Sequence, residues 1–245
     1  MKTRKKIFGA LLLLIMISIS GMVTFAAEAP RKATMSEQIR AAHRMAAQYQ
    51  ETPAEKKIYS YVQVPPEYCV NGNWSGDWVR QVYGGQEFFH FGCGVCCLSN
   101  MFSTITKRAV APDMMLEWAR EYSSYNPDCG RGAISWSQLR KVCEALELPA
   151  VVKQKPAAYE DFRADVQAAR TTMVLVCKEN DDKLWFYTRG HYVNLWEYDP
   201  ATDTVFVTDA SGLFNRSRVP LRDVYNALKT KSDAQYMCVN DVNAG

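Results

Sequence analysis

Phe91-Gly92-Cys93-Gly94-Val95-Cys96-Cys97-Leu98-Ser99-Asn100-Met101 sets one cysteine between two glycines at the head of an apolar run. Leu98, Met101, Phe102 and Ile105 recur at helical spacing, so the run from Cys93 to Thr106 reads as a helix that begins at the cysteine. A helix N-terminus carries free backbone N–H groups and the positive end of the macrodipole, and both favour thiolate over thiol. Those N–H groups, the one of Cys93 included, can also stabilise an oxyanion on an attacked carbonyl. Gly92 and Gly94 let backbone and substrate approach closely. Taken alone, a glycine-flanked cysteine is by default a buried structural residue, and the nucleophile reading needs a partner.

Gly190-His191-Tyr192-Val193-Asn194-Leu195-Trp196 supplies one, a histidine at the start of a strand. The chain has three histidines, at 43, 90 and 191. His43 falls in an amphipathic N-terminal helix and is expected on or near its surface. His90 stands three residues before Cys93 and reaches the thiol only through a tight loop. His191 gains weight from Asp209, which ends the run Val205-Phe206-Val207-Thr208. A hairpin that turns through residues 199–203 brings the start of the first strand beside the end of the second. A carboxylate there can hold the imidazole's tautomer and orientation, as the third member of a triad does.

Around these motifs the helical patterns come first. Met35 to Gln50 repeats Ile39, Ala42, Ala46 and Tyr49 on one face and is expected to dock on the main domain, with a short pro-segment as the alternative. Residues 60 to 92 are loop-rich, punctuated by Pro65-Pro66, Asn71-Gly72 and Gly84-Gly85. Pro112 opens a helix to about Tyr122, Ser135 caps another ending near Leu146, and Tyr159 to Ala169 suggests a fourth. Short β-branched or aromatic runs follow at Thr172–Cys177, Tyr192–Tyr198 and Thr204–Thr208, then a helix over Pro220–Leu228 and a strand over Gln235–Val239. Helices first and antiparallel strands afterwards predict an α+β fold with segregated layers.

The chain has 245 residues, 48% hydrophobic and 22% charged, enough for one sizeable core. Lys2, Arg4, Lys5 and Lys6 precede an apolar run from Ile7 to Phe25, and Ala26, Ala27 and Ala29 follow, the layout of a secretory signal peptide. The expected division is a signal over 1–26, a helix and linker over 27–59, and one catalytic domain over 60–245. An uncleaved anchor is the rival reading of the first segment. The first 26 residues hold four basic and no acidic side chains, so the formal +3 becomes about −1 without them. No basic stripe with interleaved aromatics remains, which disfavours nucleic acid as a partner. Eight cysteines in an exported chain raise the prospect of disulfides. Cys93, Cys96 and Cys97 crowd one segment, however, and Cys69, Cys129, Cys143, Cys177 and Cys238 read equally well as small apolar residues.

Gly92-Cys93-Gly94, followed by the Leu98-Ser99-Asn100-Met101 helix, resembles the nucleophile segment of papain-like cysteine peptidases of the bacteriocin-processing endopeptidase type. Gly190-His191-Tyr192-Val193 and the strand ending in Thr208-Asp209 resemble that family's histidine strand and acidic orienter. Trp78 with Tyr83-Gly84-Gly85, and Gly132-Ala133-Ile134-Ser135 with Leu139, are similar to its flanking segments, so the resemblance spans roughly residues 74 to 211. It implies a papain-like cysteine peptidase fold, α+β, with an N-terminal helical part packed on a C-terminal antiparallel sheet. It further implies Cys93 as nucleophile, His191 as base and Asp209 as orienter, acting on peptides. Val95, Cys96 and Cys97 depart from the family's pattern. The glutamine of the oxyanion hole has three candidates here, Gln86, Gln81 and Asn73. No P-loop follows, so nothing supports the transporter-linked form.

Three rival readings stand beside the hydrolase. Cys93-Gly94-Val95-Cys96 has the spacing of thiol–disulfide oxidoreductases, but without the βαβ pattern expected before it. A zinc site from Cys93, Cys96 or Cys97 with His90 would need four convergent ligands, and adjacent cysteines diverge on a helix. The same fold could also serve as a non-catalytic binding module. The reading calls for no cofactor and no metal. It expects a secreted or extracytoplasmic monomer whose substrate is a peptide or protein, cell-wall peptides included. Membrane contact is expected only through the export signal.

Overall fold

A computed structural model describes residues 33–68, 74–129, 132–180 and 183–240. The segment expected to be a signal, over 1–26, lies outside the described residues, as do Cys69 and Asn73. Helix α1 spans Met35–Gln48, and Thr34 opens it with a capping box: the Thr34 hydroxyl takes the Glu37 N–H while the Glu37 carboxylate takes the Thr34 N–H. Strands β1 (Val82–Tyr83) and β2 (Gln86–Glu87) form a small hairpin. Its turn residues Gly84 and Gly85 have φ of +55° and +81°, which a side chain would strain. Helices α2 (Cys93–Thr106), α3 (Pro112–Ser123) and α4 (Trp136–Ala145) follow. Proline in the first turn starts α3, and a Ser135–Gln138 capping box starts α4. The remainder runs β3 (Ala150–Lys153), α5 (Tyr159–Ala168), β4 (Thr171–Val176), β5 (His191–Asp199), β6 (Thr204–Asp209), β7 (Ser217–Pro220), α6 (Leu221–Ala227) and β8 (Tyr236–Val239).

The chain is α+β, with a six-stranded antiparallel sheet in the order β3-β8-β4-β5-β6-β7. Two apolar clusters line its faces. On one face Met173, Leu175, Tyr192, Trp196 and Phe206 pack with Leu98, Met101 and Leu139 from α2 and α4. On the other, Val174, Val176, Val193, Leu195 and Val207 pack with Phe162 of α5, Val224 of α6 and Ala42 of α1. Because both faces are covered, β4 is buried at every position rather than alternating. The layers are less segregated than expected, since α5 and α6 cover the face opposite α2. Strands β3 and β7, each four residues long, carry no alternating signal that sequence reading could catch.

Helix α2 is buried from Cys93 through Ser103, which marks a central rather than a surface helix. Its polar residues tether neighbouring segments: Asn100 Oδ1 accepts the Tyr61 N–H at 2.6 Å, and Ser103 Oγ accepts the Val110 N–H at 2.9 Å. Residues 49–58 run from α1 across to β7 and are fastened there by charge. Arg216, 4% exposed, donates to both carboxylate oxygens of Glu51 and to the Ile58 and Glu55 carbonyls. Glu55, fully buried, accepts from Tyr49 Oη, the Thr52 N–H and Arg218. Such buried pairs hold only when every charge is matched, and here each is.

Candidate active site

The hairpin of β5 and β6 turns through residues 200–203 and pairs Val193 with Asp209. His191 and Asp209 therefore share one end and one face of the sheet, two residues apart in register. His191 Nε2 and Asp209 Oδ1 lie 2.8 Å apart. The carboxylate occupies Nε2, which leaves Nδ1 for the third member. That member is Cys93: the His191 imidazole, and then the Tyr192 and Gly94 N–H groups, act on its thiol and favour the charged form. The structure thus brings Cys93, His191 and Asp209 together from α2, β5 and β6. All three are buried, with 8%, 4% and 0% exposure.

The electrostatics of the three groups agree with one another. Burial pushes the Cys93 thiol up, but the His191 hydrogen bond and charge, then the Tyr192 and Gly94 amides, bring it below its ordinary value of 9.0. For His191, burial opposes the charged form, yet Asp209 and the sulfur raise it to about 10. Asp209 resists burial through His191 and Ser211 and stays below the usual carboxylate range. Together these shifts favour a thiolate and an imidazolium backed by a carboxylate. Asp209 is held from several directions. Besides His191, its Oδ1 accepts from the Ser211 N–H at 2.8 Å and Oγ at 2.7 Å. Its Oδ2 accepts from Trp185 Nε1 at 3.0 Å and the Phe214 N–H at 3.3 Å.

Gly94 is needed for room. A Cβ there would sit 2.4 Å from Ile134 Cγ2 and 3.2 Å from Tyr192 Cδ2. These two side chains wall the site next to the sulfur, and the Tyr192 phenol is fixed on the Ile134 carbonyl at 3.2 Å. Beyond Tyr192 opens a cavity of about 390 Å³, lined by Ser135, Trp136, Arg140, Val152, Ser232 and Asp233 among others.

The remaining sequence candidates fall elsewhere. His90 is exposed, with its ring against Phe89, and His43 is half-buried in α1, with Nε2 enclosed and unbonded. Gln81 Oε1 accepts the Tyr83 phenol at 2.5 Å, and Gln86 is exposed beside the Gly132 turn. Neither glutamine is among the principal groups acting on the sulfur. Cys96 and Cys97 are fully buried, and burial and then the neighbouring sulfur charge push both thiols well above their ordinary range. The seven described cysteines are free thiols, and no cluster of metal-ligating side chains occurs among the described residues. Ser211, Trp185 and Tyr192 escaped sequence reading, because hydrogen bonds from a loop tryptophan or a post-strand serine leave no periodic trace.

No family model matches the chain, and no curated protein matches it. Among solved structures it is similar to the peptidase domain of Streptococcus ComA, a bi-functional ABC transporter involved in a quorum sensing pathway. That similarity has 10% sequence identity, 62% coverage of this chain, 92% coverage of that one and a TM-score of 0.41.

Proposed function

We propose that this chain is an exported, papain-like cysteine peptidase or amidase that cleaves peptide or isopeptide bonds through an acyl-enzyme thioester. The observation that carries the reading is the shared imidazole: one ring nitrogen bonds the Asp209 carboxylate and the other is left for a thiol whose ionisation is favoured. In the reaction the Cys93 thiolate adds to the carbonyl carbon, and the carbonyl oxygen takes the negative charge. Unpaired N–H groups in the first turn of α2 stabilise that oxyanion. Collapse of the adduct breaks the C–N bond, and the imidazolium of His191 gives its proton to the departing amine. The neutral ring then takes a proton from water, the hydroxide attacks the thioester, and carboxylic acid and thiolate separate. Asp209 keeps the ring oriented throughout.

The basic–apolar–small order of residues 1–29 supports secretion or an extracytoplasmic location, with a monomer acting on peptide or protein substrates. Peptides of the cell wall belong to that substrate range. The test is a mixed peptide library treated with the purified mature chain, with Cys93→Ala as control. Cleavage that persists undiminished in Cys93→Ala ends the proposal. A thiol-directed probe should label Cys93 in the parent and lose that labelling in His191→Ala. Insulin reduction that depends on Cys96 would favour the oxidoreductase instead.

A further inference from the structure

The connection between β4 and β5 carries two aromatic residues to the buried carboxylate. Trp185 Nε1 donates to Asp209 Oδ2. Tyr187 Oη donates to Ser211 Oγ at 2.6 Å, and Ser211 Oγ donates to Asp209 Oδ1 at 2.7 Å, the oxygen that also meets His191. Proton counting fixes the direction of this chain. An ionised carboxylate only accepts, so the single Ser211 hydroxyl proton points at Asp209, and the serine lone pairs are left for donors, one of them taken by the Leu213 N–H at 3.4 Å and the other open to a side-chain donor. Tyr187 is that donor: burial and then the Asp209 charge push its phenol well above the ordinary range, so it keeps its proton. Its ring also stands against His191, with centroids 6.4 Å apart.

We infer that Tyr187 and Ser211 are positioning residues for the Cys93–His191 pair, a relay that pins Asp209 Oδ1 on the imidazole while Trp185 pins Oδ2. The inference rests on the thiol chemistry proposed above. A phenol that merely satisfies itself could bond any nearby carbonyl. Here it ends a directed chain whose far end is the imidazole, and a hydroxyl that accepts one bond donates a stronger one. Loss of either hydroxyl loosens the Oδ1 side of the carboxylate, weakens its hold on the imidazolium, and so raises the pH at which the thiol ionises. The other titratable groups acting on the pair, Cys96, Cys97, Tyr125 and Tyr192, are all pushed up. In the acid and neutral range the pair therefore titrates without interference from them.

The test is alkylation of the full chain by iodoacetamide at a series of pH values, read by mass spectrometry of the Cys93 peptide. Exposed Cys129 serves as internal reference. Tyr187→Phe and Ser211→Ala should each move the acid limb of Cys93 reactivity up by about half a pH unit, with unchanged circular dichroism. Tyr225→Phe removes a phenol bonded to the Pro156 and Ala157 carbonyls and should leave the limb in place. Should Ser211→Ala fail to fold, Tyr187→Phe decides alone. A limb that stays put or moves down in the folded variants overturns the relay, as does an equal shift in Tyr225→Phe. Alkylation needs no turnover, so the two proposals fail separately. A shifted limb in a chain that cleaves no peptide keeps the relay and removes the peptidase, and an unshifted limb in an active peptidase does the reverse.

Discussion

Replacing Asp209 by Asn is the most exacting perturbation of this site, because it keeps the shape and reverses one hydrogen-bonding role. The carboxylate accepts from five donors: His191 Nε2, the Ser211 N–H and hydroxyl, Trp185 Nε1 and the Phe214 N–H. An amide must put its NH2 at one of the two oxygen positions. At the Oδ1 position it would oppose three donors, and at the Oδ2 position only Trp185 and Phe214, so the second is the cheaper seat. Two buried donors are then left unmatched, at about 1–3 kcal/mol each, so the fold should lose about 2–6 kcal/mol. The imidazole changes as well. Burial is the largest single influence on His191 and opposes its charge, so without the carboxylate the ring falls from about 10 toward its ordinary 6.5. Near neutrality the ring is then uncharged, and the Cys93 thiol loses its cationic partner. Thiolate reactivity at about pH 6.5 should drop at least roughly tenfold, the equivalent of one pKa unit. Urea unfolding measures the first effect and Cys93 alkylation the second. An Asp209→Asn variant within about 0.5 kcal/mol of the parent, alkylated at the parent's rate, would refute both the burial argument and the ion-pair argument.

Peptide turnover as kcat/KM should rise with pH as Cys93 ionises below its ordinary 9.0 and fall as the imidazolium deprotonates near 10; an alkaline limb near neutrality would contradict the Asp209 contact. The same shift has a stability sign: His191 is raised in the fold, so its contribution is complete below the unfolded 6.5 and disappears as pH climbs through about 10. Gly94→Ala forces a methyl against Ile134 Cγ2 at 2.4 Å, and should cost about 1–3 kcal/mol in urea unfolding and most of the turnover. Cys96→Ala removes a fully buried sulfur that faces no substrate; it should keep turnover while unfolding about 1 kcal/mol more easily in the same assay.

Much of this architecture could be read from residue patterns. The helix from Cys93 to Thr106 matches its expected limits, because the flanking glycines and the apolar period agree on where it runs. The 199–203 turn was equally legible, and with it the placement of His191 beside Asp209. What escaped depends on contacts distant in sequence. The support of Asp209 comes from Trp185 in a loop and Ser211 beyond the strand, at separations that no local pattern encodes. The α1 capping box at Thr34 and Glu37 was locally encoded, by contrast, and went unread. Strands β3 and β7 exist because β8 and β6 offer them unpaired edges, and sequence period says little about a four-residue strand.

The buried charges of residues 49–58 restrict how this chain can be processed. A protease cutting after Glu51 and shedding the upstream piece would strand the Arg216 guanidinium, and a cut after Glu55 would strand Arg218 with it. Orphaning a buried cation costs about 3–5 kcal/mol, a large share of what a domain has to lose. Trimming ahead of Thr34 touches none of these contacts. The stretch from Glu51 to Ile58 is thus a keel of the fold, and a plug that lifts away with it is a role its wiring opposes.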